Sequence, residues 1–378
     1  MHISLICNIC FYHRSWLDSV IQSATQAKLA LLVSAAIYGL SYVISKDLQD
    51  HKEFGIKPGL LNGLRFFLAS SLFSSDLLQS VSSIISEKLF PKINPSDGRS
   101  LLLRDQRQRA LVAGLELGLW ASLGFLAQSL ALQTSSASKV SFFCGLTVVV
   151  TPLIAYSETV WLAFKRLLLR SFRSRGENCS SASGSSAVSP SFVMRLGDWM
   201  APCLAVAGAA VLELGDIHEH AHSSSATSAS SSLLSDIYLV LTPLAFGVWF
   251  HRSETLSAAA ETAADEIRRS SEQSSSGGGS VYTRVVTGTM LLVAAMVSCM
   301  YSYFMESGDT AGSSPGLWRI MQSRKVAIPM VLFIGLVTTG WNALVEQLVQ
   351  SMRFSLFILP LLSSILSILS YALIEITR

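Results

Sequence analysis

The chain has 378 residues, of which half are apolar and only 14% are charged, and its mean hydropathy is +0.47. Soluble domains carry about 25% charged residues, so the composition points to a membrane protein. The formal charge of +3 is too small to argue for nucleic acid, and the basic residues fall in short loops and not on one face.

Residues 1–28 read as an N-terminal tail. Met1 to Phe11 is apolar but short and lacks a basic flank, which fits neither a secretory signal nor a transit peptide. A mis-assigned start or a short interfacial tail accounts for it. Cys7 and Cys10 form a lone C-x-x-C without a second pair, and six cysteines in this length make no disulfide framework.

Nine apolar runs then follow at membrane-spanning length. They are Leu29 to Ser45, Leu60 to Leu78, Leu111 to Leu132, Val140 to Ser157, Trp199 to Leu214, Leu234 to Phe250, Val285 to Phe304, Val326 to Leu348 and Phe354 to Ile374. The pattern predicts an all-α polytopic membrane protein. Phe164 to Leu169 extends the fourth run, with Lys165, Arg166 and Arg170 snorkelling to the interface.

The third and fourth runs carry the strongest local signal. Only the small polar residues around Thr134 to Ser138 separate them, which forces two antiparallel neighbouring helices. Polar groups inside such runs are conspicuous, because a charge at a helix centre costs roughly 2.5–3.5 kcal/mol on insertion scales.

A cytoplasmic N-terminus places most of the basic residues in inside segments, among them two segments with six each, the bias expected of an inserted bundle. Three loops are Ser-rich: Ser174 to Ser191, His218 to Ser232 and Ser270 to Ser280. Such tracts bury too little surface to fold. His218, His220 and His222 alternate in the second of these, where a solvated linker outweighs a metal site. Asn178-Cys179-Ser180 matches a glycosylation sequon, but the charge rule sets it on the cytoplasmic side.

The chain divides at the His/Ser-rich segment, residues 215–233, into residues 29–214 and 234–378. Each part repeats a similar order of features, with Tyr38-Gly39 answered by Phe246-Gly247, and Pro152 by Pro360. Parts with an odd number of spans each are inverted relative to one another, as in many secondary transporters.

Leu130 to Pro152, LALQTSSASKVSFFCGLTVVVTP, resembles the third-to-fourth span signature of EamA-type members of the drug/metabolite transporter superfamily. Tyr38 to Val43 is similar to that family's first-span W-G-x-x-F pattern, with Tyr for Trp, and Asn62 to Phe66 to its second-span R-F position. Gly197-Asp198 and Ser235-Asp236 resemble its G-D openings of later spans, the second imperfectly. The likeness covers residues 29–214 well and the second part loosely. It implies two inverted five-helix repeats that move a small organic metabolite by alternating access, without cofactor or metal. It also allows a homodimer. The family's tenth helix is missing here: Pro360 leads to Glu375 and then Arg378. A truncated reading frame or a member lacking that peripheral helix explains this.

Within this frame, Arg65 meets an anionic substrate, pairs with Glu116, or snorkels. Glu116 is a coupled carboxylate or a helix-N-terminal charge, set between Gly114 and Gly118, whose spacing permits close helix approach. Trp120, Gln128 and Gln133 recur near one face of the third run, and Lys139 opens the fourth. In the eighth, Trp341, Asn342 and Glu346 form a polar face. Substrate-pathway candidates are therefore Tyr38, Arg65, Glu116, Trp120, Gln128, Lys139, Trp341, Asn342 and Glu346, with Gly114, Gly118, Pro152 and Pro360 as packing or kink positions. No hydrolase, zincin or P-loop motif is present, so no enzyme is expected. The expected partners are the lipid bilayer and a small-molecule substrate. The alternatives are an integral membrane enzyme or assembly factor without transport, or an inactive truncated copy.

Overall fold

The computed structural model describes residues 24–50, 56–89, 98–173, 229–270, 278–306 and 327–345, together with Ala207. The fifth and ninth apolar runs, Glu346 and Pro360 lie outside the described residues, apart from Ala207 in the fifth run.

Every described element is helical. They are α1 (Ala24–Asp50), α2 (Pro58–Ser71), α3 (Ser74–Leu89), α4 (Gly98–Thr134), α5 (Ala137–Gly145), α6 (Thr147–Arg173), α7 (Ala229–Ser270), α8 (Gly278–Tyr301) and α9 (Ala327–Leu332). Two π-helical stretches, Ser302–Glu306 and Phe333–Gly340, continue α8 and α9. Among the described residues, five segments are long and apolar enough to cross a membrane: Asp105–Thr134, Lys139–Glu158, Leu234–Ala260, Tyr282–Glu306 and Ile328–Val345. The chain is thus a multi-pass helical membrane protein.

The helices wear their apolar residues outward. Val112, Leu115 and Leu119 on α4, and Leu234, Ile237 and Val240 on α7, form exposed stripes at helical spacing. Ser41, Asn62, Arg65, Gln128 and Thr242 are buried instead. In water this arrangement is unfavourable; hydrocarbon around the bundle makes it favourable, because the stripes need no protein cover.

Side-chain contacts fix the helix directions. Thr134 and Ser135, at the α4–α5 turn, bond Ser235 at the start of α7. Lys46 near the end of α1 donates to the Leu132 carbonyl, and Lys57 before α2 donates to the Glu306 carbonyl. These groups share one end of the bundle, the hairpin end. At the other end Glu116 meets Arg252, Glu158 meets His251, and Asp76 meets Arg284. By these contacts α1, α4 and α8 run toward the hairpin end, whereas α2, α5 with α6, and α7 run away from it, the directions that the run order predicts.

Two expected spans are interrupted. The second run breaks at Leu72–Phe73 between α2 and α3. Ser70, Ser71 and Ser74 hydroxyls each donate to a carbonyl three residues earlier, competing with the backbone ladder and bending it. The fourth run breaks at Leu146, whose N–H is shared between the Phe142 and Phe143 carbonyls. Pro152 lies inside α6, where it removes the donor to the Val148 carbonyl, but the interruption itself comes earlier. Helix α4 starts at Gly98, so Glu116 is deep in a helix and not at its N-terminus. Helix α7 begins at Ala229, inside the segment expected to be linker.

Helix α4 is the hub. It packs most extensively on α8 and α7, so the first part of the chain is fastened directly to the second. A Cβ at Gly114 would lie 2.6 Å from Thr289 Cβ, and one at Gly118 would lie 2.7 Å from Val293 Cβ. These glycines let the backbones of α4 and α8 approach closely.

Candidate functional site

The α2 sequence NGLRFF places Asn62, Arg65 and Phe66 on adjoining positions of one helix face, three and four residues apart. Their surroundings are set by α4. Asn62 Nδ2 donates to the Phe125 carbonyl at 3.1 Å and to Ser129 Oγ at 2.8 Å. That carbonyl lies in mid-helix, so Asn62 inserts as a polar tie between α2 and α4.

Next to this tie, Arg65 is 96% buried, with a relative exposure of 4%. Its guanidinium carbon lies 4.8 Å from the Phe66 ring centroid and 4.9 Å from that of Phe125. Each cation–π contact contributes about 0.5–2 kcal/mol, more when desolvated. Tyr38 on α1 reaches the guanidinium with its hydroxyl, and Tyr42, one turn on, is within hydrogen-bonding reach of Tyr38 and Cys144. Nε and Nη2 of Arg65 have no acceptor among the described residues. A buried charge in this state is costly, so its retention asks for a purpose.

Aromatic rings continue from this point into the second part of the chain. Phe125 packs edge-on to Phe246 at 4.8 Å, and Phe246 lies 6.0 Å from Trp249. Trp249 Nε1 donates to Met290 Sδ at 3.2 Å. The niche thus joins α1, α2 and α4 to α7 and α8. Arg65 follows Lys57 by eight residues, a rise of about 12 Å from the hairpin end. In a hydrocarbon core of about 30 Å that depth is near the middle.

The other expected residues are dispersed. Glu116 does not pair with Arg65: its Oε1 accepts from Arg252 Nε at 2.6 Å, with both side chains more than a third exposed. Distance along α4 decides this, since Glu116 precedes Phe125 by nine residues, about 13 Å of helix. Trp120 faces outward. Gln128, one turn beyond Phe125, is buried with Oε1 unpaired among the described residues. Gln133 is exposed. Lys139 sits at the hairpin end, 3.7 Å from Asp236. Trp341 Nε1 and Asn342 Oδ1 are buried without partners among the described residues. They follow the π-helical stretch, where Thr338 and Thr339 hydroxyls both donate to the Ile334 carbonyl. Among the described residues, no cluster of three metal-ligating side chains occurs.

Several residues of the niche are not evident from sequence. Phe125, Phe246 and Trp249 look like ordinary apolar filling, and only the fold brings them together. Asn62 had a signal: it is an amide three residues before the one arginine of its run. Glu306 also had one, as a carboxylate closing the seventh run. It accepts from the Gly59 N–H at 2.8 Å, satisfying an orphan donor at the start of α2.

Comparison with protein-family models, curated proteins and solved structures finds no match.

Proposed function

We propose that the chain is an integral membrane secondary transporter of a small organic metabolite, working by alternating access between its two helical parts. The observation that carries this reading is the Arg65 niche: a buried cation with an open hydrogen-bonding edge, near mid-depth, at a junction of helices from both parts. Binding sites of many secondary transporters lie near the midplane between repeats. The ties at the two ends fit the same scheme. Lys139–Asp236 and the Ser235 bonds link the parts at the hairpin end, and Glu116–Arg252 and Glu158–His251 link them at the other. Breaking one set while keeping the other would expose the niche to one side at a time.

The resemblance of Leu130 to Pro152 to EamA-type drug/metabolite transporters, which have two inverted five-helix repeats, supports the same assignment, and the excess of basic residues in the inside segments supports a cytoplasmic N-terminus. On that assignment the Glu116–Arg252 end faces the cytoplasm, and the protein acts without cofactor.

The test is uptake into proteoliposomes loaded with unlabelled metabolite pools and offered labelled sugars, amino acids, organic acids and nucleosides. Exchange of at least one class above protein-free vesicles is expected. No exchange of any class by monodisperse, inserted protein would overturn the assignment and favour a membrane enzyme or assembly factor.

A further inference from the structure

We propose that the substrate carries a carboxylate or phosphate that docks side-on against Nε and Nη2 of Arg65. This rests on the transport reading only for the word substrate; the anion site stands on its own geometry.

The unpaired atoms of Arg65 set the docking geometry. In an arginine, the N–H of Nε and one N–H of Nη2 run parallel along one edge of the guanidinium plane. That edge matches the two oxygens of a carboxylate or phosphate, and it is the bidentate mode that makes such pairs strong and directional. These are the two nitrogens of Arg65 without an acceptor among the described residues. The Phe66 and Phe125 ring centroids lie 4.8 Å from each other and 4.8 and 4.9 Å from the guanidinium carbon, so both rings pack against one side of Arg65. A ligand that pairs with both nitrogens lies in the guanidinium plane, along the unpaired edge.

The surroundings select for charge. An arginine guanidinium remains charged in protein settings, and Arg65 is 96% buried. An anion entering the niche gains from the low dielectric and relieves the unpaired cation, whereas a neutral amide offers one weaker acceptor and a cation is repelled. Glu116 on α4 is engaged with Arg252, and Glu306 accepts from Gly59 through Oε1 at the hairpin end of α2, six residues before Arg65, with Oε2 unpaired among the described residues. Tyr38, which reaches the guanidinium from α1, is placed to hold its plane.

The test uses the full chain in phosphatidylcholine nanodiscs, with thermal stability read against added benzoate, phenyl phosphate and neutral benzamide. A ligand bound only by the folded state raises the midpoint. We expect benzoate, phenyl phosphate or both to raise it in a saturable way while benzamide does not. Arg65→Lys keeps the charge but loses the parallel edge, and should raise the concentration required at least tenfold; Arg65→Gln should abolish the response. An equal response to benzamide, or an unchanged benzoate response in Arg65→Gln, overturns the proposal. So does a response that appears only in Glu346→Gln, which would mean that an internal carboxylate holds the edge. Loss of the benzoate response on adding phosphatidylglycerol would assign the site to lipid headgroups and also overturn it. Should Arg65→Gln fail to fold, the benzoate–benzamide contrast and Arg65→Lys still decide. Anion binding without any flux sinks the transport reading alone; flux of neutral metabolites with no anion response sinks this proposal alone.

Discussion

Two regions of this bundle hold charges in opposite chemical settings. At the end opposite the hairpin, Glu116–Arg252, Glu158–His251 and Asp76–Arg284 are paired, and each pair keeps some contact with solvent. Near mid-depth, Arg65 is nearly fully buried, packed against two rings, and unpaired along one edge among the described residues. Paired charges at a rim need no ligand to explain them. A buried cation with an open edge costs stability while empty, so its presence is best explained by what fills it.

That contrast gives the first and largest prediction. Arg65→Met removes the uncompensated charge and leaves an unbranched apolar chain beside Phe66 and Phe125. It should raise the stability of the ligand-free protein by about 1–4 kcal/mol while abolishing transport, a trade of function for stability. Thermal unfolding in detergent together with proteoliposome flux checks it; a large loss of stability would make Arg65 a structural residue like those at the rim.

Second, Gly118→Leu should destabilise the bundle by about 1–3 kcal/mol through overpacking. The added Cβ alone would sit 2.7 Å from Val293 Cβ and 2.9 Å from the Met290 carbonyl. Because it strikes the α4–α8 seam below the niche, the loss should appear as aggregation in size-exclusion chromatography whether or not ligand is present.

Third, Asn62→Leu should cost about 0.6–1.5 kcal/mol, the range of interhelical hydrogen bonds in membranes, by cutting the ties to Phe125 and Ser129. It should weaken binding at Arg65 in the same assay, since α2 is no longer held in register with α4. Unaltered binding would separate the tie from the site.

The smallest effect belongs to the rim. A double-mutant cycle on Glu116→Gln and Arg252→Gln should give a coupling below about 1 kcal/mol that shrinks with salt, as for other half-exposed pairs. If Glu116 couples transport to protons, Glu116→Gln also loses the pH dependence of flux; retained dependence confines Glu116 to helix pairing.

Much of the architecture was legible in the chain. Apolar runs long enough to span and a five-residue polar turn between two of them depend on local composition, and the helices follow them. The seam glycines Gly114 and Gly118 were legible too, because spacing alone makes a helix face. Interruptions were harder. The Leu72–Phe73 break depends on serine hydroxyls turning to their own backbone, and a run of Ser, Leu and Phe also suits a straight span.

The membrane class, the up-and-down order and the short list of in-span polar residues were determined by the sequence itself, because hydrocarbon acts on every residue by its own polarity. Only the tertiary structure decided which polar residues meet. Glu116 and Arg65 are equally plausible partners on paper, yet about two and a half turns of helix separate their levels on α4. Arg252, 136 residues along the chain, claims Glu116 instead. What remains is Arg65 against Phe66 and Phe125, with Asn62 holding the two helices together. Pairing in a bundle is set by register between helices, which is a property of their packing and is written in no single run.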